Sequence, residues 1–169
     1  MATRLLALLL GILSVSCSGY RLGGAKPAHL AEVGSIEVEM VDNQTQMPRA
    51  AAHATNAIVD ALTRDGTYRV EYAGRADARL QTTLTRIDYR QARSSRRDTL
   101  RSEELRMRLT LEWILIDAAN PARVLQRGRS TGQTLFFVDP NLQTARQNAL
   151  ADALKRASES LVARLADGF

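Results

Sequence analysis

Seven arginines crowd into nineteen residues of this chain: Arg90, Arg93, Arg96, Arg97, Arg101, Arg106 and Arg108, with only Asp98, Glu103 and Glu104 as local opposition. A guanidinium presents a planar fork of donors, so arginines at this density suit charge-assisted, bidentate binding of phosphate or carboxylate. A second reading stands beside it, in which they are gatekeepers that stop an exposed strand from pairing with its neighbours. Chemistry of other kinds finds no footing. His29 and His53 lie in separate segments, and no spacing joins either to a serine and an acid as a triad requires. There is no HExxH, no Cys/His metal pattern and no phosphate-cradling glycine loop. Asp60, Asp65 and the Glu103-Glu104 pair read as solvated charges. Tyr89 and Trp113 do not alternate with the arginines as a nucleic-acid stacking platform would. The expectation is a binding protein without catalysis, cofactor, metal or nucleic-acid partner.

One residue promises covalent chemistry of another sort. The only cysteine, Cys17, ends a leader with a single basic residue, Arg4, an apolar run from Leu5 to Val15 and small residues before the thiol. That is the layout of an export signal. The run is about half the ~20 apolar residues that a membrane-spanning helix needs. The segment resembles a bacterial lipobox, with Ser16 before the cysteine and Ser14 where Leu is usual. The resemblance implies a signal peptide over 1–16, cleaved before a Cys17 that carries fatty-acyl chains such as palmitate. Ser18 stands where Asp would signal retention in the inner membrane, which implies the outer membrane, periplasmic face.

Formal net charge is +5, or +4 once Arg4 leaves with the leader, and lysine occurs only at 26 and 155. With one cysteine no internal disulfide can form, and an acylated Cys17 would leave the domain without a thiol. The mature length suits one core.

The elements that must position the arginines follow from periodicity. Residues 17–34 hold glycines and a proline without sustained period and read as a tether. Ser35–Val41 alternates Ile36, Val38 and Met40 against Glu37 and Glu39, a half-buried strand, and 42–46 form a polar turn. Arg49–Asp65 places Ala50, Ala54, Ala57, Ile58, Ala61 and Leu62 on one helical face, with Gly66 as its stop. Thr67–Tyr72 is a short strand. Ala78–Arg90 carries Leu80, Thr82 and Leu84 on one face, then shifts phase to Ile87 and Tyr89, which predicts a bulge near Thr85–Arg86. Gln91–Ser102 is the basic tip of a hairpin that returns through Leu105, Met107, Leu109, Leu111, Trp113 and Leu115. Arg123–Val138 is a further strand, with Leu135, Phe136 and Phe137 near its end and Gly128 and Gly132 weakening its regularity. Asn141–Ala166 is a long closing helix. Two helices must cover the single apolar face of a mostly antiparallel sheet of four to five strands. The fold class is α+β, a two-layer sandwich over residues 35–169 in the order β-α-β-β-β-β-α, with parallel pairing confined to the strands flanking the first helix. The other face, which adds Arg127 and Arg129, should look at solvent or a partner.

The cysteine-terminated leader, Cys17-Ser-Gly-Tyr-Arg-Leu-Gly23, the strand running into Val41-Asp-Asn-Gln-Thr45, the Ala-rich helix ending Leu62-Thr-Arg-Asp-Gly-Thr-Tyr68 and the basic hairpin together resemble the LptE family of lipopolysaccharide-assembly lipoproteins. The resemblance implies a partner of the outer-membrane β-barrel LptD, acting as plug and assembly factor in delivering lipopolysaccharide to the outer leaflet, with Cys17 as the lipid attachment and the basic face meeting lipopolysaccharide or the barrel wall. An alternative is a periplasmic lipoprotein scaffold of a secretion ring or an activator of a cell-wall synthase.

Overall fold

The computed structural model describes residues 26–93, 104–137 and 141–168. The expected signal peptide, Cys17 and residues 18–25 of the expected tether lie outside them, as do Arg96, Arg97 and Arg101 of the hairpin tip, while Leu30 and Val33 of the remaining tether residues are buried in the core. After a 3-10 turn at Ala28–Leu30 the elements are β1 (Ser35–Val38), β2 (Asp42–Asn43), α1 (Ala50–Asp65), β3 (Arg69–Val70), β4 (Ala78–Arg93), β5 (Glu104–Asp117), β6 (Val124–Phe137) and α2 (Leu142–Asp167). They form one six-stranded sheet in the order β3-β1-β4-β5-β6, with β2 also paired to β4, and two helices. The α+β sandwich holds.

The count of strands rises because the first one breaks. Val38 faces Leu80 and Asp42 faces Thr83, so four residues of the first strand span three of β4. The extra residue flips the side-chain phase. Met40, expected inside, is 70 % exposed, and Val41 takes the core position instead. The Val41 amide, displaced from the ladder, donates to Thr55 Oγ1 of α1 at 3.0 Å. What reads as a polar turn at 42–46 therefore begins as a short strand.

Parallel pairing also reaches further than expected. The strands on either side of α1 are parallel, as a crossover through a helix requires. Yet β3 adds on the outside of β1, and Glu71–Asp77 bring the chain back so that Ile36 faces Val70 on one side and Ala78 on the other. The β4 strand thus enters parallel to β1 and β2 as well. Asp77 secures this return: its carboxylate accepts from the Gly34 and Ser35 amides and from Ser35 Oγ, all within 2.9 Å. The Ser35 hydroxyl, followed by these amides, holds the Asp77 carboxyl below its ordinary value.

The long hairpin keeps its expected bulge, with the register shifting between Leu84 and Arg86. Along β5 the residues Met107, Leu109, Leu111, Trp113 and Leu115 are all buried. The β6 glycines have a purpose that periodicity hides. A Cβ at Gly132 would overlap the Ala153 carbonyl of α2, and one at Gly128 would overlap the Trp113 ring. Glycine is the residue that lets two backbones approach so closely. Ala149, Ala153 and Ala157 are buried on the matching face of α2. Trp113 Nε1 donates to Ser130 Oγ at 3.2 Å, so the indole is satisfied inside the core. Asn141 caps α2 by accepting from the Thr144 amide, and left-handed Gly66 and Gly168 end α1 and α2. Tyr68 donates its hydroxyl to the Leu165 carbonyl at 2.8 Å and ties the segment after α1 to the end of α2. Burial pushes its pKa up to about 12.

Two predictions follow from this packing. Gly132→Ala should cost about 1–3 kcal/mol, because a helix backbone must move. Gly128→Ala should cost less, because only an indole must turn, and thermal unfolding followed by circular dichroism should rank them in that order. Asp77→Ala should lower the melting temperature at pH 7. A carboxyl with a depressed folded pKa stabilises above its unfolded value of about 3.9, and that contribution fades as pH falls toward the folded value. The gap between Asp77→Ala and the parent chain should therefore close in melts taken below about pH 4.

Candidate binding face

Both helices pack on one side of the sheet, so the side chains of β4, β5 and β6 that point the other way form an open face. Cross-strand registers order it in rows: Gln81, Ile114 and Arg127; Thr83, Glu112 and Arg129; Asp88, Arg108 and Gln133; Arg90, Arg106 and Leu135. The structure thus puts Arg90, Arg106 and Arg108 in adjacent rows, with Arg127 and Arg129 on the same face further along the strands. The backbone of Arg93 pairs with Glu104 one row further on.

The charges on this face are unevenly paired. Arg129 places Nη2 at 2.6 Å and Nε at 3.1 Å from one oxygen of Glu112. Arg86 lies 3.8 Å from Asp88 and Arg79 3.9 Å from Glu39. Among the described residues Arg90, Arg106, Arg108 and Arg127 make no ion pair. Arg90 sits directly opposite Arg106, and like charges facing across a ladder are unfavourable unless an anion lies between them.

Residues the sequence did not flag join this face. Leu135 and Phe137 point outward and are 50 % and 62 % exposed, while Phe136 between them packs inward. Strict alternation through Phe136 was the available signal. On the helix side of the sheet Phe136 meets Tyr89 edge to face at 6.3 Å, and the Arg146 guanidinium lies 5.1 Å from the Tyr89 ring. Burial raises the Tyr89 hydroxyl pKa, against the pull of Arg146. A groove of about 650 Å³ runs between the Gln44–Pro48 loop, Arg86–Tyr89 and Arg146.

Topology concentrates positive potential at the hairpin end. The α1 helix starts where β1 and β2 end, and α2 starts after Phe137, which pairs with Glu104 beside the tip. Both helix N-termini therefore lie near the hairpin, and neither has an acidic residue in its first turn. Their dipoles add to the arginines there. Lys26 and Pro27 lie at the opposite end, with the Lys26 ammonium 4.9 Å from the Tyr68 ring and Pro27 against Gly168.

The two histidines stand apart from one another and from this face. His53 is exposed on α1 and His29 in the 3-10 turn. Among the described residues no three His, Cys, Asp or Glu side chains gather as a metal site, and no helix is long and apolar enough to cross a membrane. The face can do one thing chemically, which is to hold an anionic surface that also offers some apolar contact.

Comparisons with known proteins give a family and a fold. Residues 33–165 match the family model LptE, described as lipopolysaccharide-assembly. Among curated proteins no relative matches the sequence. Solved structures share the fold: a protein from Xanthomonas campestris (TM-score 0.55, 16 % identity, 83 % of this chain and 87 % of that one), a minor lipoprotein from Acinetobacter baumannii (0.52, 8 %, 79 % and 92 %) and a putative lipoprotein from Caulobacter crescentus (0.50, 16 %, 75 % and 87 %). At these identities the likeness concerns the fold alone.

Proposed function

Because the chain belongs to the LptE family of lipopolysaccharide assembly, we propose that it is an outer-membrane lipoprotein, anchored through Cys17, that partners an LptD-like β-barrel and meets lipopolysaccharide with its arginine-bearing open face. It works by binding, not by catalysis. The observation that carries this reading is the pairing of a family match with a face whose arginines outnumber their carboxylate partners.

The dimensions support it. The β4 strand alone, Ala78–Arg93, spans about 50 Å at ~3.3 Å per residue. A barrel's apolar band is about 25 Å tall. The hairpin is thus long enough to run through a barrel, with its electropositive end far from the point where the tether arrives. From Cys17 to Lys26 the chain reaches at most about 30 Å, so the anchor and the basic end work at separate levels of one complex. Lipopolysaccharide supplies phosphates and acidic sugars for the guanidinium forks, and its acyl chains suit Leu135 and Phe137 beside Arg106.

Reversal to Glu at Arg90, Arg106 and Arg108, and separately at Arg93, Arg96 and Arg97, should weaken binding to lipopolysaccharide micelles about tenfold or more at ~0.15 M salt. At about 1 M salt the difference should largely vanish. Unchanged binding by both variants, with unchanged circular dichroism, would remove lipopolysaccharide from this face.

A further inference from the structure

We propose that the free edge of β6 is a docking strand for an extended segment of a partner protein that carries acidic side chains at alternate positions. Among the described residues β6 pairs only with β5, whereas the other edge of the sheet, β3, is two residues long. Fourteen residues of β6 thus present about 45 Å of strand with one side of its backbone unpaired. Native sheets usually blunt such an edge with proline, charged side chains, lysine above all, or inward-pointing charge. Val124–Phe137 contains no proline and no lysine, its inward positions are Gln126, Gly128, Ser130, Gly132, Thr134 and Phe136, and its two charges, Arg127 and Arg129, are confined to one half of the strand on the open face.

The surroundings of the edge specify the occupant. A groove of about 500 Å³ at Gln133–Leu135 is lined by Arg106 from the open face and Arg156 from α2. A second depression of about 530 Å³ is lined by Ile114, Arg127, Gly128 and Arg129. A strand added to this edge would set every second side chain beside Arg127 and Arg129, then beside the exposed Leu135 and Phe137. Acidic residues followed by apolar ones match that order. A second copy does not: it would bring one arginine stripe beside another, and the chain is already basic at +5. Main-chain hydrogen bonds would supply the affinity and the arginines the choice of partner.

The test uses the full chain in detergent micelles and a capped peptide of about ten residues, the length of a strand, alternating Glu and Val. Hydrogen exchange should slow at the amides of 124–137 when the peptide binds. Binding should fall about fivefold in the double variant Arg127→Gln, Arg129→Gln, and should disappear when alternate peptide amides are N-methylated. Equal binding of the N-methylated peptide, equal binding of a Lys-Val peptide, or protection confined to other strands overturns the proposal. So does protection of β6 in the chain alone together with a doubled mass in sedimentation, which would make the occupant a second copy. Lipopolysaccharide is absent from this assay, so its outcome is separate from that of the binding-face experiment.

Discussion

The helix backbone of α2 rests against the strand backbone of β6 at Gly132, and the asymmetry of the molecule depends on that contact. With Ala153 and Ala157 meeting a residue that has no side chain, α2 lies close enough to β6 to bury Leu150, Leu154 and Leu161. The α1 helix packs beside α2 with Ala50, Ala54, Ile58, Ala61 and Leu62 buried. Both helices are spent on one face. The other must satisfy itself with water or a partner, which is the usual condition of an antiparallel sheet that is apolar on one side only. The arginines on that face stand where water or a partner can reach them.

Much of this was legible in the sequence because the determining signals are local. The period-two run from Leu105 to Leu115 gave β5, the phase change after Leu84 gave the bulge, and Gly66 gave the end of α1. The failures share a cause, which is that tertiary neighbours decided them. Met40 continues the alternation of Ile36 and Val38, but an extra residue opposite β4 turned it outward. The place of β3 outside β1 depends on Asp77 clasping Gly34 and Ser35 across more than forty residues of chain. The reason for Gly132 lies on a helix that begins after the strand has ended. Of the candidate site, the sequence supplied Arg90, Arg106 and Arg108 and the neighbouring Arg127 and Arg129. It did not supply Leu135 or Phe137, whose place on the face depends on which way a strand turns its side chains.

Polarity along the long axis is a consequence of chain order. Because β4 and β6 both run toward the hairpin end, and α1 leaves the end of β2, the N-termini of α1 and α2 both fall toward that end. The helix C-termini, with Gly66 and Gly168, fall at the far end where Pro27 and Lys26 enter. With both helix N-termini toward one end and both C-termini toward the other, the molecule is electrostatically polar along its long axis.

The position of the arginines also separates the two readings of why they are there. Gatekeepers belong on edge strands, where an unpaired backbone invites pairing. Arg106 and Arg108 stand on β5, which is flanked by β4 and β6 along its whole length and has no edge to guard. Arg90 stands opposite Arg106, an arrangement that opposes stability unless something anionic relieves it. Meanwhile the strand with an exposed edge, β6, keeps its inward positions small or uncharged. The two arginines of β6, Arg127 and Arg129, stand on an edge strand and fit protection against pairing, whereas Arg90, Arg106 and Arg108 stand where there is no edge, and for these three an anionic partner is the reading that the geometry favours.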